Sequence, residues 1–255
     1  MVTIYELGVV VHYEGLLVHV DRAVATLDER GGPVEVQLRV ENTGDNAADL
    51  NAPIRLTLGK QRFEPTRESH VPSIPAHGIA AAVMAFELQA ISSVDLAIVE
   101  IGSEPQHVAL VPLTERAGRA ALYEPLGLVL SGTATSANLK LSLRAGLLRW
   151  DLPDWSQELV AGLQALTLTY DVTYTGDFAG GLSFTGENVA LRLPDGSVIG
   201  PRRDGHSQSV ELIGPKKTKK ALFSRFEIPS GMTGDFALLV RNEGIEKAIP
   251  FAIGG

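Results

Sequence analysis

Apolar residues recur at every second position through much of this chain, and that period admits few structures. Leu16, Val18 and Val20 alternate with Leu17, His19 and Asp21, and Val34, Val36, Leu38 and Val40 alternate with Glu35, Gln37, Arg39 and Glu41. The beat continues through Ile54, Leu56 and Leu58, then returns at Leu139–Leu143, Leu166–Tyr170 and Val189–Leu193. Successive side chains of a strand point to opposite faces, so a period of two places one face in a core and the other in water. Gly31-Gly32-Pro33, Asn42-Thr43-Gly44-Asp45, Pro194-Asp195-Gly196 and Pro229-Ser230-Gly231 punctuate the runs with turn chemistry. Pro194-Asp195-Gly196-Ser197 is a hairpin signal. Many short strands with regular turns predict an all-β sandwich or barrel. Helical character is confined to Thr114–Tyr123 and Asp154–Val160, with Thr114 and Asp154 as N-caps. Both segments are too short to be framework, and the first reads as a connector.

The 255 residues leave one domain or two open until an internal repeat is noticed. The apolar pattern of Val18–Asp28 lines up without gaps on Leu141–Asp151. Leu38–Asp45 matches Tyr170–Asp177, and Ala85-Phe86-Glu87-Leu88 matches Arg225-Phe226-Glu227-Ile228. The offset grows from 123 to 132 to 140 residues, as longer loops in a second copy require. Expected boundaries are a first sandwich over 1–113, a linker with short-helix character over 114–126, and a longer second sandwich over 127–255.

A strand ending in Asn42-Thr43-Gly44-Asp45, followed by a hairpin strand, a Pro/Gly turn and Phe86-Glu87-Leu88, resembles bacterial immunoglobulin-like domains. The order is most similar to the telokin-like domain of unknown function found in bacterial envelope proteins and lipoproteins. Phe226-Glu227-Ile228-Pro229 fits its "FEhP" pattern more closely than Phe86-Glu87-Leu88-Gln89 does; the second copy lacks the Asn before Thr175-Gly176, and no lipoprotein cysteine exists. The resemblance implies two tandem immunoglobulin-like β-sandwich domains, each of about seven strands. It also implies an extracytoplasmic setting, envelope or secreted, for a bacterial protein. Turn and strand motifs carry fold further than function.

Composition removes several chemistries. Zero cysteines exclude disulfides, thiolate zinc sites, iron–sulfur clusters and a cysteine nucleophile. No basic leader with a small-residue cleavage site precedes Val9-Val10-Val11, and no run approaches the ~18 apolar residues of a transmembrane helix. The histidines His12, His19, His70, His77, His107 and His206 are dispersed and read as surface residues. His12 could meet His19, and His70 could meet His77, yet no spacing supplies the third ligand a zinc site needs. Gly181-Leu182-Ser183-Phe184-Thr185-Gly186 lacks the nucleophile-elbow spacing, and no phosphate-cradling glycine loop is present. The acidic turns Asp45–Asp49 and Asp204-Gly205-His206 lack the bidentate Glu that completes a calcium loop. No cofactor and no catalytic residue are expected.

Charge is more informative. Residues 1–115 carry 7 basic and 16 acidic side chains, while residues 116–255 carry 15 and 14. Arg202, Arg203, Lys216, Lys217, Lys219, Lys220 and Arg225 cluster in the second half. One reading is a solvated strand edge guarded by lysines; the other is a patch that docks on an acidic surface, such as the first domain of another copy. Aromatics concentrate at Trp150, Trp155, Tyr170, Tyr174, Phe178 and Phe184. Trp150 is expected in the second core, as Leu27 in the first, and Trp155 and Phe178 on inserted loops are candidate recognition anchors. Arg202, Arg203, Lys216, Lys217, Lys219, Lys220, Trp155 and Phe178 are thus the expected partner-binding residues. These features predict a non-catalytic binding or assembly module with a protein partner or self-association into an oligomer. Nucleic acid does not fit a net charge of −8 and a patch without interleaved aromatics. The alternative is a cytosolic two-sandwich scaffold of arrestin-like layout, favoured if Met1 is the native start; a hydrolase with a loop-built site ranks below both.

Overall fold

The computed structural model describes residues 1–114, 121–203 and 210–254. Its chain divides into two compact units, Met1–Glu124 with Trp150–Gly162, and Pro125–Arg149 with Leu163–Gly255. The first unit opens with β1 (Val2–Tyr13), β2 (Leu16–Thr26), β3 (Gly31–Asn42), β4 (Ile54–Leu58) and β5 (Gln61–Phe63). It continues with β6 (Ile79–Gln89), β7 (Ala97–Ile101), β8 (Ala109–Pro112) and β9 (Ala121–Leu122). The chain then enters the second unit with β10 (Leu126–Leu128), β11 (Gly132–Ser136) and β12 (Leu139–Arg149). It returns to the first for β13 (Asp151–Leu152) and β14 (Gln157–Glu158). The second unit is completed by β15 (Leu163–Tyr174), β16 (Leu182–Phe184), β17 (Val189–Arg192) and β18 (Val198–Ile199). Last come β19 (Glu211–Ile213), β20 (Thr218–Pro229), β21 (Gly234–Asn242) and β22 (Ile245–Ile253).

In the first unit one sheet runs β6-β3-β2-β1-β9 and the other β5-β4-β7-β8. Assigning β2, β3 and β6 as A, B and E, and β5-β4-β7-β8 as C′-C-F-G, gives an immunoglobulin-like sandwich with an added strand β1. The second unit has the same plan: β12, β15 and β20 lie in one sheet, and β18-β17-β21-β22 form the other. The chain is all-β, built of two sandwiches. Their alternating faces close two separate cores, one around Val20, Val36, Leu38, Phe86 and Val99, the other around Leu143, Leu168, Tyr170, Phe226 and Leu238. Phe86 and Phe226 are both fully buried. Each large apolar side chain so buried contributes about 1.5–3 kcal/mol.

Pairing recurs between the units at the offsets read from sequence. Thr3↔Ala25 and Tyr13↔Leu16 reappear as Leu126↔Leu148 and Ser136↔Leu139. The bulge between Val20 and Arg22 on β2 reappears between Leu143 and Ala145 on β12. The residue inside each bulge forms an ion pair with the next strand, with the charges exchanged. Asp21 accepts from Arg39 Nε (2.7 Å), whereas Arg144 Nη2 donates to Asp171 (2.7 Å). A bulge re-aims one side chain outward, and either polarity satisfies the same cross-strand geometry.

The Asn42-Thr43-Gly44-Asp45 turn is tied by Asn42, which is buried. Its Nδ2 donates to the carbonyls of Asn46, Ile74 and Pro75, while its Oδ1 accepts from the Gly44 N–H. Tyr174 occupies the equivalent strand end in the second unit, opposite Leu139 as Asn42 is opposite Leu16.

Three local expectations change. Trp150–Gly162, expected within the second sandwich, belongs to the first unit. Asp154–Val160 forms a 3-10 turn at Pro153–Trp155 and then strand β14, because Ser156 adopts left-handed φ (45°) and ends the turn after three residues. Within the expected 114–126 linker, Ala121–Leu122 runs parallel to Val10–Val11 and Leu126–Leu128 is strand β10. The helix expected over Thr114–Tyr123 falls mostly on residues 115–120, outside the described residues, as do Asp204-Gly205-His206.

Candidate functional site

The basic cluster lies along β20 and at one end of the second unit, and its members differ sharply. Arg225 is buried, with its guanidinium 5.9 Å from the Phe223 ring centroid. Arg202 pairs with Glu227, and its N–H donates to the Arg225 carbonyl. Lys216 pairs with Asp177 (2.8 Å) and Lys219 with Glu211 (3.1 Å). Lys217, Lys220 and Arg203 are exposed. The N–H of Ala221, itself at left-handed φ, donates to Asp171 Oδ1 (3.1 Å). That bond, with Arg144, holds the Asp171 carboxyl below the usual carboxylate range. β20 is an edge strand whose bulge and lysines are features that discourage sheet-to-sheet pairing.

At the start of β20 the charges meet apolar surface. The ribbon of β16 and β19 pairs Ser183 with Leu212, and the Gly181 N–H donates to the Phe178 carbonyl. Phe178 is 70 % exposed, Val210 68 % and Leu212 66 %. The Lys216–Asp177 pair and the bond from the Tyr174 N–H to the Lys217 carbonyl tie the lysine turn to the loop bearing Phe178. Lys216 and Lys217 are thus tied to the loop bearing Phe178, and Leu212, a residue with no part in the sequence expectations, lies exposed on the ribbon that this loop enters. An exposed aromatic and aliphatic cluster rimmed by cations has the make-up of a protein contact surface. Trp155 lies in the other unit, 48 % exposed.

A second polar locus, unexpected from sequence, sits in the first unit where Trp150–Gly162 docks. The Gly15 N–H donates to Asp151 Oδ2 (2.6 Å) and the Glu14 N–H to Glu158 Oε2 (3.2 Å). The His107 N–H donates to the Leu159 carbonyl and the Ala161 N–H to the Pro105 carbonyl, flanking an antiparallel bridge between Gln106 and Val160. Asp151, Leu152, Glu158 and Leu159 are all buried. His107 is buried as well, contrary to its expected surface position. Its ring lies 5.4 Å from Tyr123, which in turn lies 5.7 Å from Trp150, so Trp150 packs in the first unit and not in the second core. His107 Nδ1 is 3.5 Å from Glu158 Oε1, and neither ring nitrogen has a hydrogen-bond partner among the described residues. Burial lowers the His107 pKa and raises that of Glu14, with Asp151 adding to the latter. Burial, then the charge of Glu158, pushes Tyr13 and Tyr123 up. The Tyr13 hydroxyl donates to the His107 carbonyl (2.6 Å), which fixes the loop carrying the histidine. Only the succession of buried strand, Pro153 and Trp155 hinted at this segment.

Elsewhere the histidines make local contacts. His19 lies 3.5 Å from Glu41, His77 3.1 Å from Asp45, and His70 contacts the Glu68 carbonyl. Among the described residues no group of three or more His, Asp or Glu is arranged to hold a metal ion. No described helix is long and apolar enough to cross a membrane.

No family model and no curated protein matches this chain. Among solved structures 17 chains match. One of them is bovine butyrophilin, at 13 % identity over 91 % of this chain and 95 % of that one, with a TM-score of 0.24. The immunoglobulin-like assignment rests on the sheet order described above.

Proposed function

We propose that this protein is a non-catalytic binding and assembly module, and that the Phe178–Leu212–Lys217 end of its second unit grips an acidic protein surface. The observation that carries this reading is the Lys216–Asp177 pair, which ties the lysine turn to the loop bearing exposed Phe178, next in the chain to the ribbon on which Leu212 is exposed. Charge supports a second copy as the partner. Counted by unit, the first carries 9 basic and 20 acidic side chains, net −11, and the second 13 and 10, net +3. Opposed surfaces of this kind steer encounter and select partners. The two units are read as tandem copies of one ancestral sandwich, supported by the recurring register and by the bulge with its exchanged ion pair. The bacterial envelope or extracellular setting implied by the resemblance belongs to the same reading.

Analytical ultracentrifugation at two ionic strengths tests it. Association is expected at about 0.01 M salt, where the Debye length is about 30 Å, and is lost near 1 M, where it is about 3 Å. Phe178→Ser combined with Lys217→Glu is expected to abolish it at low salt. Association unchanged by salt and by that double substitution would falsify the reading.

A further inference from the structure

The segment Trp150–Gly162 is covalently an excursion from the β12–β15 hairpin, yet it packs within the first unit. The equivalent hairpin of the first unit, β2–β3, closes through a tight turn with a bridge between Asp28 and Gly31. A sandwich of this plan therefore does not need the excursion to join A to B. What the segment adds to the first unit is also unusual. Among the described residues β13 and β14 pair only with each other, so neither sheet gains a strand. Two leucines, Leu152 and Leu159, are its fully apolar buried residues. The segment is also held by hydrogen bonds to main chain around Glu14-Gly15 and Pro105–His107, which is how a docked peptide is held.

We propose that the first unit carries a strap-binding groove, formed by the β1–β2 turn, the Pro105–His107 loop and Tyr123, and that copies of this chain exchange the Trp150–Gly162 strap through it. Each strap then seats in the first unit of another copy, giving head-to-tail oligomers. The contacts in the exchanged form are those of the closed form, so the balance between them is set by protein concentration and by the connection that must reorient. Both ends of the strap stay on their own second unit. The reorienting connection is therefore Glu124-Pro125, which follows Tyr123 and precedes β10. Tyr123 there already has left-handed φ (57°). Two buried carboxylates and a buried imidazole make the seat selective, because only a segment bringing Asp151 and Glu158 in register satisfies the N–H groups of Gly15 and Glu14. The groove residues belong to the first unit and Phe178 to the second, and the inference does not rest on that reading.

The chain has no cysteine, so introduced thiols report unambiguously. Gln106 and Val160 face each other across an antiparallel bridge and neither is buried. In the double variant Gln106→Cys/Val160→Cys, air oxidation is expected to close a disulfide within one chain at low concentration. Failure to close it overturns the seat itself. Two single variants, Gln106→Cys and Val160→Cys with only one tagged, are then mixed, co-refolded from urea at high concentration and oxidised. Exchange predicts heterodimers in several-fold excess over either homodimer, because only a strap seated in trans brings the two thiols together. Heterodimers at or below the twofold excess over either homodimer that random pairing of equimolar variants gives overturn the proposal.

Discussion

Gly15 offers a direct test of how tightly the strap is seated. It lies in the β1–β2 turn at φ +84°, and a Cβ there would fall 2.8 Å from the Cα and 3.0 Å from the Cβ of Pro153. Gly15→Ala therefore introduces two costs. The left-handed backbone costs an alanine roughly 1–2 kcal/mol, and the collision with a prolyl backbone costs about 1–3 kcal/mol more, as overpacking does. Gly59→Ala separates the two, since Gly59 has φ +61° and nothing within 4 Å of its Cβ position. Expected losses are about 2–5 kcal/mol for Gly15→Ala and about 1–2 kcal/mol for Gly59→Ala. The assay is built into the chain: its two tryptophans, Trp150 and Trp155, both lie in the strap. Urea titrations followed by tryptophan emission thus read strap docking specifically. Gly15→Ala should lower the midpoint further than Gly59→Ala and shift native emission to the red as Trp150 leaves Tyr123. Equal midpoints with unchanged emission would refute the seating of Pro153 on the turn.

Two further outcomes follow from buried polar groups. Asn42→Ala removes the donor serving three carbonyls and the acceptor of the Gly44 N–H, and should destabilise the first unit by about 1–3 kcal/mol in thermal unfolding; a loss below about 0.5 kcal/mol would show that water replaces it. For His107, burial depresses the folded-state pKa below the ordinary 6.5. Its contribution is complete above that value and is lost as pH falls through the depressed one. Glu14 acts with opposite sign, since its raised pKa gives a contribution present at acid pH and lost as pH rises through it. Urea midpoints read by tryptophan emission should fall from about pH 7.5 to about pH 5.5 in the parent and much less in His107→Gln. A midpoint that rises on acidification in the parent but not in His107→Gln would mean that a His107–Glu158 ion pair outweighs burial.

Alternating residues such as Val34–Val40 and Leu166–Tyr170, with the turns between them, determined the strands, the two sandwiches and even the offsets at which register recurs. The reason is local: the side-chain period of two, together with turn residues whose backbone preferences are intrinsic, needs no distant partner. Phe86 and Phe226 were legible for the same cause, each lying at the same beat of an edge strand. Only the tertiary structure decided where Trp150–Gly162 goes, that His107 is buried beside Glu158, and that three of the clustered cations, Arg202, Lys216 and Lys219, are paired with acids. Apart from Lys219 and Glu211, these outcomes join residues 25 or more positions apart. A histidine in an irregular loop carries no period, and a basic run says nothing about Asp177, Glu211 or Glu227 until folding brings them within reach. Local periodicity specifies a strand and its buried face; burial and pairing of charges depend on which distant segment comes to lie over them.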